Sequence, residues 1–147
     1  MSLKEELTQA MKTAMKAKDR IRLGTIRLLR SAIKNKEIEL GKELDDADVL
    51  KVISTAVKQR KESIEQFQKG GREELAQKEQ AELEILQSYL PQQMDKEEVA
   101  VLVKEAIEAV NATSMKDMGK VMGLASKELV GKADGKTISQ VVKKLLS

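Results

Sequence analysis

The sequence predicts an all-α protein made of two helical domains, and three observations support this prediction. Charged residues make up 35% of the 147 residues and aromatic residues only 1%, and most of the remainder are strong helix formers. Apolar residues recur at intervals of three and four along most of the chain. The single proline, Pro91, interrupts a long helical pattern, because proline disfavours helical geometry at the preceding residue. We therefore expect domains over residues 1–91 and 92–147.

Four helices are expected in the first domain, and short connections between them predict an antiparallel bundle. Each helix should begin at a capping residue or a turn and end where the helical pattern stops. The expected starts are Ser2, Asp19, Asp45 and Arg72, and the expected ends are Lys18, Gly41, Gly70 and Tyr89. The expected apolar side of the second helix consists of Ile21, Ile26, Leu28, Leu29, Ala32 and Ile33.

One basic residue, Arg60, lies within the apolar stripe of the third expected helix. Glu79 and Glu82 lie on the apolar side of the fourth, and the intervening turn at Gly70-Gly71 places Arg60 and Glu82 roughly level. A lone buried charge is costly, so we expect Arg60 to pair with Glu79 or Glu82. Without cysteine or histidine, a Ser–Lys dyad or a carboxylate pair remains open to catalysis. Glu79 and Glu82 are such a pair, but a structural salt bridge explains them better.

Three shorter helices are expected in the second domain. Asp95 with Glu98 has the spacing of a capping box, and Ser114 and Thr137 are placed to cap the next two helices. Gly119 lies within the apolar stripe of the middle helix, which suggests a close helix–helix approach.

Several segments of the chain resemble the signatures of the YqeY-like family, in order and over nearly its whole length. These segments are residues 28–35 (LLRSAIKN), 60–64 (RKESI), 82–86 (ELEIL), 89–94 (YLPQQM), 117–122 (DMGKVM) and 131–135 (GKADG). The resemblance implies a helical N-terminal domain followed by a three-helix C-terminal domain, in agreement with the periodicity.

The YqeY-like family is in turn similar to the tail domain of the B subunit of tRNA-dependent amidotransferases. That tail implies a role in gripping tRNA rather than in the chemistry, and this chain lacks the kinase-like cradle and the zinc site of the whole subunit. The resemblance therefore implies a tRNA- or RNA-binding accessory protein. The alternatives are a component of glutamine-dependent amidation, a carbon–nitrogen ligase reaction with glutamine as amido-N-donor, or a protein-interaction module. Candidate partners are tRNA and components of an amidotransferase or an aminoacyl-tRNA synthetase.

Two basic sets are candidate contacts for RNA phosphates. The first comprises Lys116, Lys120 and Lys127 on the sixth helix, with Lys132 and Lys136 in the following turn. The second comprises Arg20, Arg27, Arg30 and Lys34, which fall within an arc of roughly 80° on the second helix. Arginine suits phosphate because its planar fork donates several hydrogen bonds. A solvated charged helix face is the simpler explanation of the second set. For the first set, the resemblance to the tRNA-gripping tail makes RNA contact an equal alternative.

The composition limits the remaining chemistry. Without cysteine or histidine there is no disulfide, no thiolate metal site and no histidine base, so we expect no catalytic residue, metal or cofactor. Gly131-Lys132-Ala133-Asp134-Gly135-Lys136 lacks the spacing of a phosphate-binding loop and reads as a turn. No apolar run is long enough to span a membrane, and residues 1–6 lack the pattern of a signal peptide. These features suggest a cytosolic protein without a membrane partner.

Overall fold

The structure is a computed structural model that describes residues 1–147. It contains seven α-helices, one short 3₁₀ turn and no strand, so the predicted all-α class is confirmed. The helices are α1 (Leu3–Ala17), α2 (Arg20–Leu40), α3 (Asp46–Lys69), α4 (Glu73–Gln87), α5 (Lys96–Ala109), α6 (Met118–Glu128) and α7 (Gly135–Leu146), and the 3₁₀ turn is Met115–Asp117.

The chain divides into two compact units, Met1–Leu90 and Pro91–Ser147. The first unit holds α1 to α4 and the second holds α5 to α7 with the 3₁₀ turn. Each unit has its own cluster of buried aliphatic side chains. That the two units are independent folding domains stays a prediction.

Most helices begin where a side chain accepts a hydrogen bond from a backbone N–H three residues further on, as a free helix N-terminus requires. The residues that cap in this way are Ser2, Asp19, Asp45, Asp95 and Asp134. The predicted cap of the last helix is wrong, because Thr137 lies inside α7 and donates its N–H to Asp134. The end of α2 is as predicted, since Gly41 adopts a φ of +69°, which glycine reaches without steric cost.

The buried side of α2 is narrower than the predicted one. Ile26, Leu29 and Ile33 enter the core as expected, whereas Ile21 and Leu28 are 47% and 62% exposed. Both sets have helical spacing, and their mean directions differ by about 120° around the helix axis. The packing of α2 against α1, α3 and α4 selects the first set, and the spacing of α2 alone does not reveal this.

Arg60 of α3 is held by both glutamates of α4. Its Nη1 donates to Glu79 Oε2 at 2.9 Å and also contacts the Glu82 carboxylate. The side chains of Arg60, Glu79 and Glu82 are only 17%, 24% and 13% exposed. The structure therefore confirms the expected pairing and rules out an Arg60 that extends into solvent, although Ser63 makes no hydrogen bond to the group.

In the second unit, α5, α6 and α7 pack on one another around a core of valine, alanine, isoleucine and leucine. The predicted close approach at Gly119 is wrong, because this residue is exposed and a Cβ built on it has no neighbour within 4 Å. The reason is one of register. The 3₁₀ turn ends at Asp117, and α6 then buries Val121 and Ala125, which are four residues apart on a neighbouring face.

We expect residues 1–90, expressed alone, to fold, because their core is formed within that segment. Circular dichroism should show helix, and urea unfolding should be cooperative. Limited proteolysis of the whole chain should cut first near exposed Gln92, between the two units. An unfolded fragment, or first cleavage inside a helix, would contradict the prediction of independent domains.

We expect Arg60→Ala to lower the free energy of unfolding by about 3 kcal/mol, because two largely buried carboxylates lose their cation. The measurement is urea unfolding of Arg60→Ala, Glu82→Ala and the double variant. The losses should be non-additive, because the two residues are in contact. Lys61→Ala is the matched control, since Lys61 is exposed on the same helix, and it should change stability by under about 0.5 kcal/mol. Strictly additive losses would show that Arg60 and Glu82 do not interact.

Candidate functional site

The second unit segregates its charges along the chain. Residues 95–109, which contain α5, carry five carboxylates and two lysines. Residues 114–147, which contain α6 and α7, carry seven lysines and three carboxylates. Residues 95–147 taken together are almost neutral, so the net charge of the whole segment does not reveal this difference. The basic character of the unit therefore belongs to α6, α7 and the turns next to them.

The five lysines that the sequence analysis proposed all lie in this basic part and are all exposed. Lys116 lies in the 3₁₀ turn, and Lys120 and Lys127 lie seven residues apart on one face of α6. Lys132 follows α6, and Lys136 lies in the first turn of α7. Lys116, Lys120 and Lys127 form no ion pair, since the recorded ion pairs lie in the first unit.

Asp117 organises the turn that leads into α6. Its carboxylate accepts a hydrogen bond from the Thr113 N–H at 2.9 Å. This bond, with a further one from the Ser114 N–H and the attraction of Lys120, holds the pKa of Asp117 below its ordinary value. The carboxylate of Asp117, which attracts Lys120, is therefore already engaged with the backbone.

The turn between α6 and α7 is held by the segment after Pro91. Gln93 Nε2 donates to the Gly131 carbonyl at 2.6 Å, and the Met94 N–H donates to the Lys132 carbonyl at 2.9 Å. Gly131 is buried with a φ of +76°, a conformation that favours glycine. Two of the segments that resemble family signatures, residues 89–94 and 131–135, therefore contact each other, and the backbone of Lys132 is fixed.

A cleft of about 550 Å³ lies between α1 and α2 in the first unit. Arg27, Arg30 and Lys34, three of the four basic residues predicted on α2, line it. The fourth, Arg20, is exposed and does not line this cleft. The residues that α1 contributes are Lys4, Leu7, Thr8 and Met11.

The only carboxylate in the cleft, that of Glu37, is already engaged. Glu37 Oε2 accepts hydrogen bonds from Lys4 Nζ at 2.6 Å and from the Leu44 N–H at 2.9 Å. The hydrogen bond from Lys4, followed by that from Leu44, lowers the pKa of Glu37, and the same pairing raises the pKa of Lys4. Arg27 and Lys34 form no ion pair, and Arg30 Nη1 donates to the sulfur of Met11 at 2.9 Å.

The sequence analysis missed the contribution of α1 to this cleft. A signal was available, because Lys4, Thr8 and Met11 have the spacing of one helix face. The spacing does not show which neighbouring helix that face meets, and the cleft exists only because α1 packs beside α2.

The candidate acid pair Glu79 and Glu82 is bound to Arg60, as described above, and its geometry is that of a salt bridge. No group of three or more acidic residues is placed to hold a metal ion. None of the helices is both long and apolar enough to cross a bilayer.

Comparisons with known proteins give the family. The sequence model of the family described as Yqey-like protein matches residues 4–146. Three curated relatives are each named "Altered inheritance of mitochondria protein 41, mitochondrial". The relative from Lachancea thermotolerans is 47% identical over 87 residues, which are 58% of this chain and 46% of that protein. The relative from Kluyveromyces lactis is 40% identical over 90% of this chain and 69% of that protein. The relative from Saccharomyces cerevisiae strain YJM789 is 34% identical over 87% of this chain and 68% of that protein.

These relatives correct the expected location. Their names are those of mitochondrial proteins, which contradicts the prediction of a cytosolic protein. That prediction rested on the lack of an apolar span and of a signal-peptide pattern, and neither of these separates the cytosol from a mitochondrial compartment.

The expected resemblance is confirmed on two grounds. The family match covers all but the first three residues and the last one, and a relative that shares 40% identity aligns with 90% of the chain. The chain belongs to the YqeY-like family.

Proposed function

We propose that the protein binds RNA, with tRNA as the expected partner, through a basic surface on its second unit. This α6–α7 basic surface consists of Lys116, Lys120, Lys127, Lys132 and Lys136. The observation that carries the proposal is the segregation of seven lysines into residues 114–147, next to an acidic α5. Lysines that form no ion pair within the protein are free to replace the counterions of a phosphate backbone.

The shape and composition of the unit favour a structured RNA. Gly123 of α6 is exposed and has nothing within 4 Å of the position that a Cβ would take, so a sugar-phosphate backbone can approach there. Stacking of single-stranded bases needs exposed aromatic rings. The one tyrosine and the one phenylalanine both lie in the first unit and pack against its core. We therefore expect contacts to the backbone of a duplex or a folded loop.

The accessory role rests on the resemblance to the amidotransferase tail domain and on the chemistry that this chain lacks. A direct part in glutamine-dependent amidation needs a nucleophile or a base. The candidate acid pair, Glu79 and Glu82, is bound to Arg60. Partnership with an amidotransferase or a synthetase stays a prediction. So does RNA contact by the basic residues of α2, and the present proposal does not depend on it. The names of the relatives make mitochondrial tRNA the first RNA to test.

We expect wild-type protein to bind labelled tRNA in a fluorescence anisotropy titration, and the Lys116→Glu/Lys120→Glu/Lys127→Glu variant to show no binding. The affinity of wild-type protein should fall about 40-fold between about 50 and 200 mM salt if three phosphates are neutralised. Circular dichroism should show unchanged helicity, because all three lysines are exposed.

Two double variants with the same change of charge test whether binding needs the α6–α7 basic surface or only the net charge of the protein. Lys120→Glu/Lys127→Glu changes α6, and Lys96→Glu/Lys104→Glu makes the same change of charge with exposed lysines of α5. Only the α6 variant should weaken binding strongly. No binding of tRNA to wild-type protein at low salt would reject the proposal, and equal losses for both variants would reject the assigned surface.

A further inference from the structure

The cleft between α1 and α2 has the size and lining of a binding site for a small molecule. Its volume of about 550 Å³ falls within the range of typical ligand pockets, roughly 300–1,000 Å³. Leu7 and Ile33 close the base of the cleft but are almost fully buried, so the half-buried side chain of Met11 is the apolar group that a ligand can contact. A ligand here would therefore meet Met11 beside the charged groups.

The basic side chains that line the cleft favour the binding of an anion. Arg27, Arg30 and Lys34 line it without forming an ion pair. The one carboxylate in the lining, that of Glu37, attracts Lys34 but is already hydrogen-bonded to Lys4 and to the Leu44 N–H. Three cations close together on one helix repel one another, and a phosphate group relieves that repulsion. Arginine in particular binds phosphate through two parallel hydrogen bonds.

Arg30 is the most informative of the three. Arg30 is half-buried as a residue, and the only hydrogen-bond acceptor that its guanidinium meets is the sulfur of Met11. A thioether is a weak acceptor, so an oxyanion would replace it with a gain in hydrogen-bond strength. We propose that this cleft binds a small organic phosphate, with the phosphate against Arg27, Arg30 and Lys34 and the apolar part of the ligand on Met11.

The geometry favours a small phosphate ester over an RNA backbone. The cations line a recess that also contains the side chain of Met11, and an RNA helix presents its phosphates on a convex ridge with no apolar group to contact it. Arg20, which is exposed on the same helix, would suit a long backbone but lies outside the recess. The proposal is independent of the RNA-binding function, which concerns the other unit.

Phenyl phosphate and methyl phosphate are suitable probes, because they share the phosphate and differ in the apolar part. Titrations of the full chain, followed by backbone amide shifts in NMR, should show phenyl phosphate perturbing α1 near Met11 and α2 near Arg30. Phenyl phosphate should bind about tenfold more tightly than methyl phosphate, because the ring is removed from water.

Arg30→Met keeps an apolar stem but removes the guanidinium, and it should weaken the binding of phenyl phosphate about tenfold or more. Arg20→Met is the matched control on the same helix and should leave the affinity unchanged within about twofold. If Arg30→Met fails to fold, Lys34→Met takes its place, since Lys34 is exposed and forms no ion pair.

The same titrations distinguish the two proposals. Lys120→Glu/Lys127→Glu should bind phenyl phosphate like wild type, whatever happens to its binding of tRNA. The cleft proposal is overturned if phenyl phosphate perturbs no residue of the cleft at low salt, or if Arg20→Met weakens binding as much as Arg30→Met. It is also overturned if tRNA perturbs the cleft and the phosphate esters do not.

Discussion

Both units are packed almost entirely from aliphatic side chains, because the chain has one phenylalanine, one tyrosine and no tryptophan. Such side chains reach only a short distance, so each helix must present a regular apolar stripe and lie close to its neighbours. Where α3 meets α4, a largely buried Arg60 interrupts this apolar packing, and the two glutamates of α4 satisfy its charge.

Sequence reasoning succeeded where the deciding interaction is local. Asp19, Asp45 and Asp95 cap helices as predicted, because a cap depends on residues within one turn. It predicted too wide a buried side for α2 and was wrong for Gly119, because α2 and α6 each carry apolar residues on more than one face. Which face is buried depends on the direction of neighbouring helices, and no local pattern encodes that direction.

The candidate sites also differ in how far local sequence patterns predict them. Exposed lysines on one face of α6 follow from helical spacing, so Lys120 and Lys127 could be predicted. The cleft of the first unit combines residues from two helices, and only the half contributed by α2 was visible in the sequence. The pairing of Arg60 with the glutamates of α4 is an intermediate case. The two helices are joined by a tight turn and rise by a fixed distance per residue, so residues equally far from the turn can be predicted to lie side by side.

The groups whose pKa is shifted all have a pKa further from neutral pH than their ordinary value. The pKa values of Glu37, Asp45 and Asp117 are lowered, whereas those of Lys4 and Tyr89 are raised. The chain has no histidine or cysteine, and its other ionisable side-chain types titrate in model peptides below about 4.5 or above about 10. The charged surfaces therefore contain no histidine or cysteine that could act as a switch near neutral pH. Ionic strength and covalent change of lysine, rather than acidity, are the means by which its charged surfaces can be tuned.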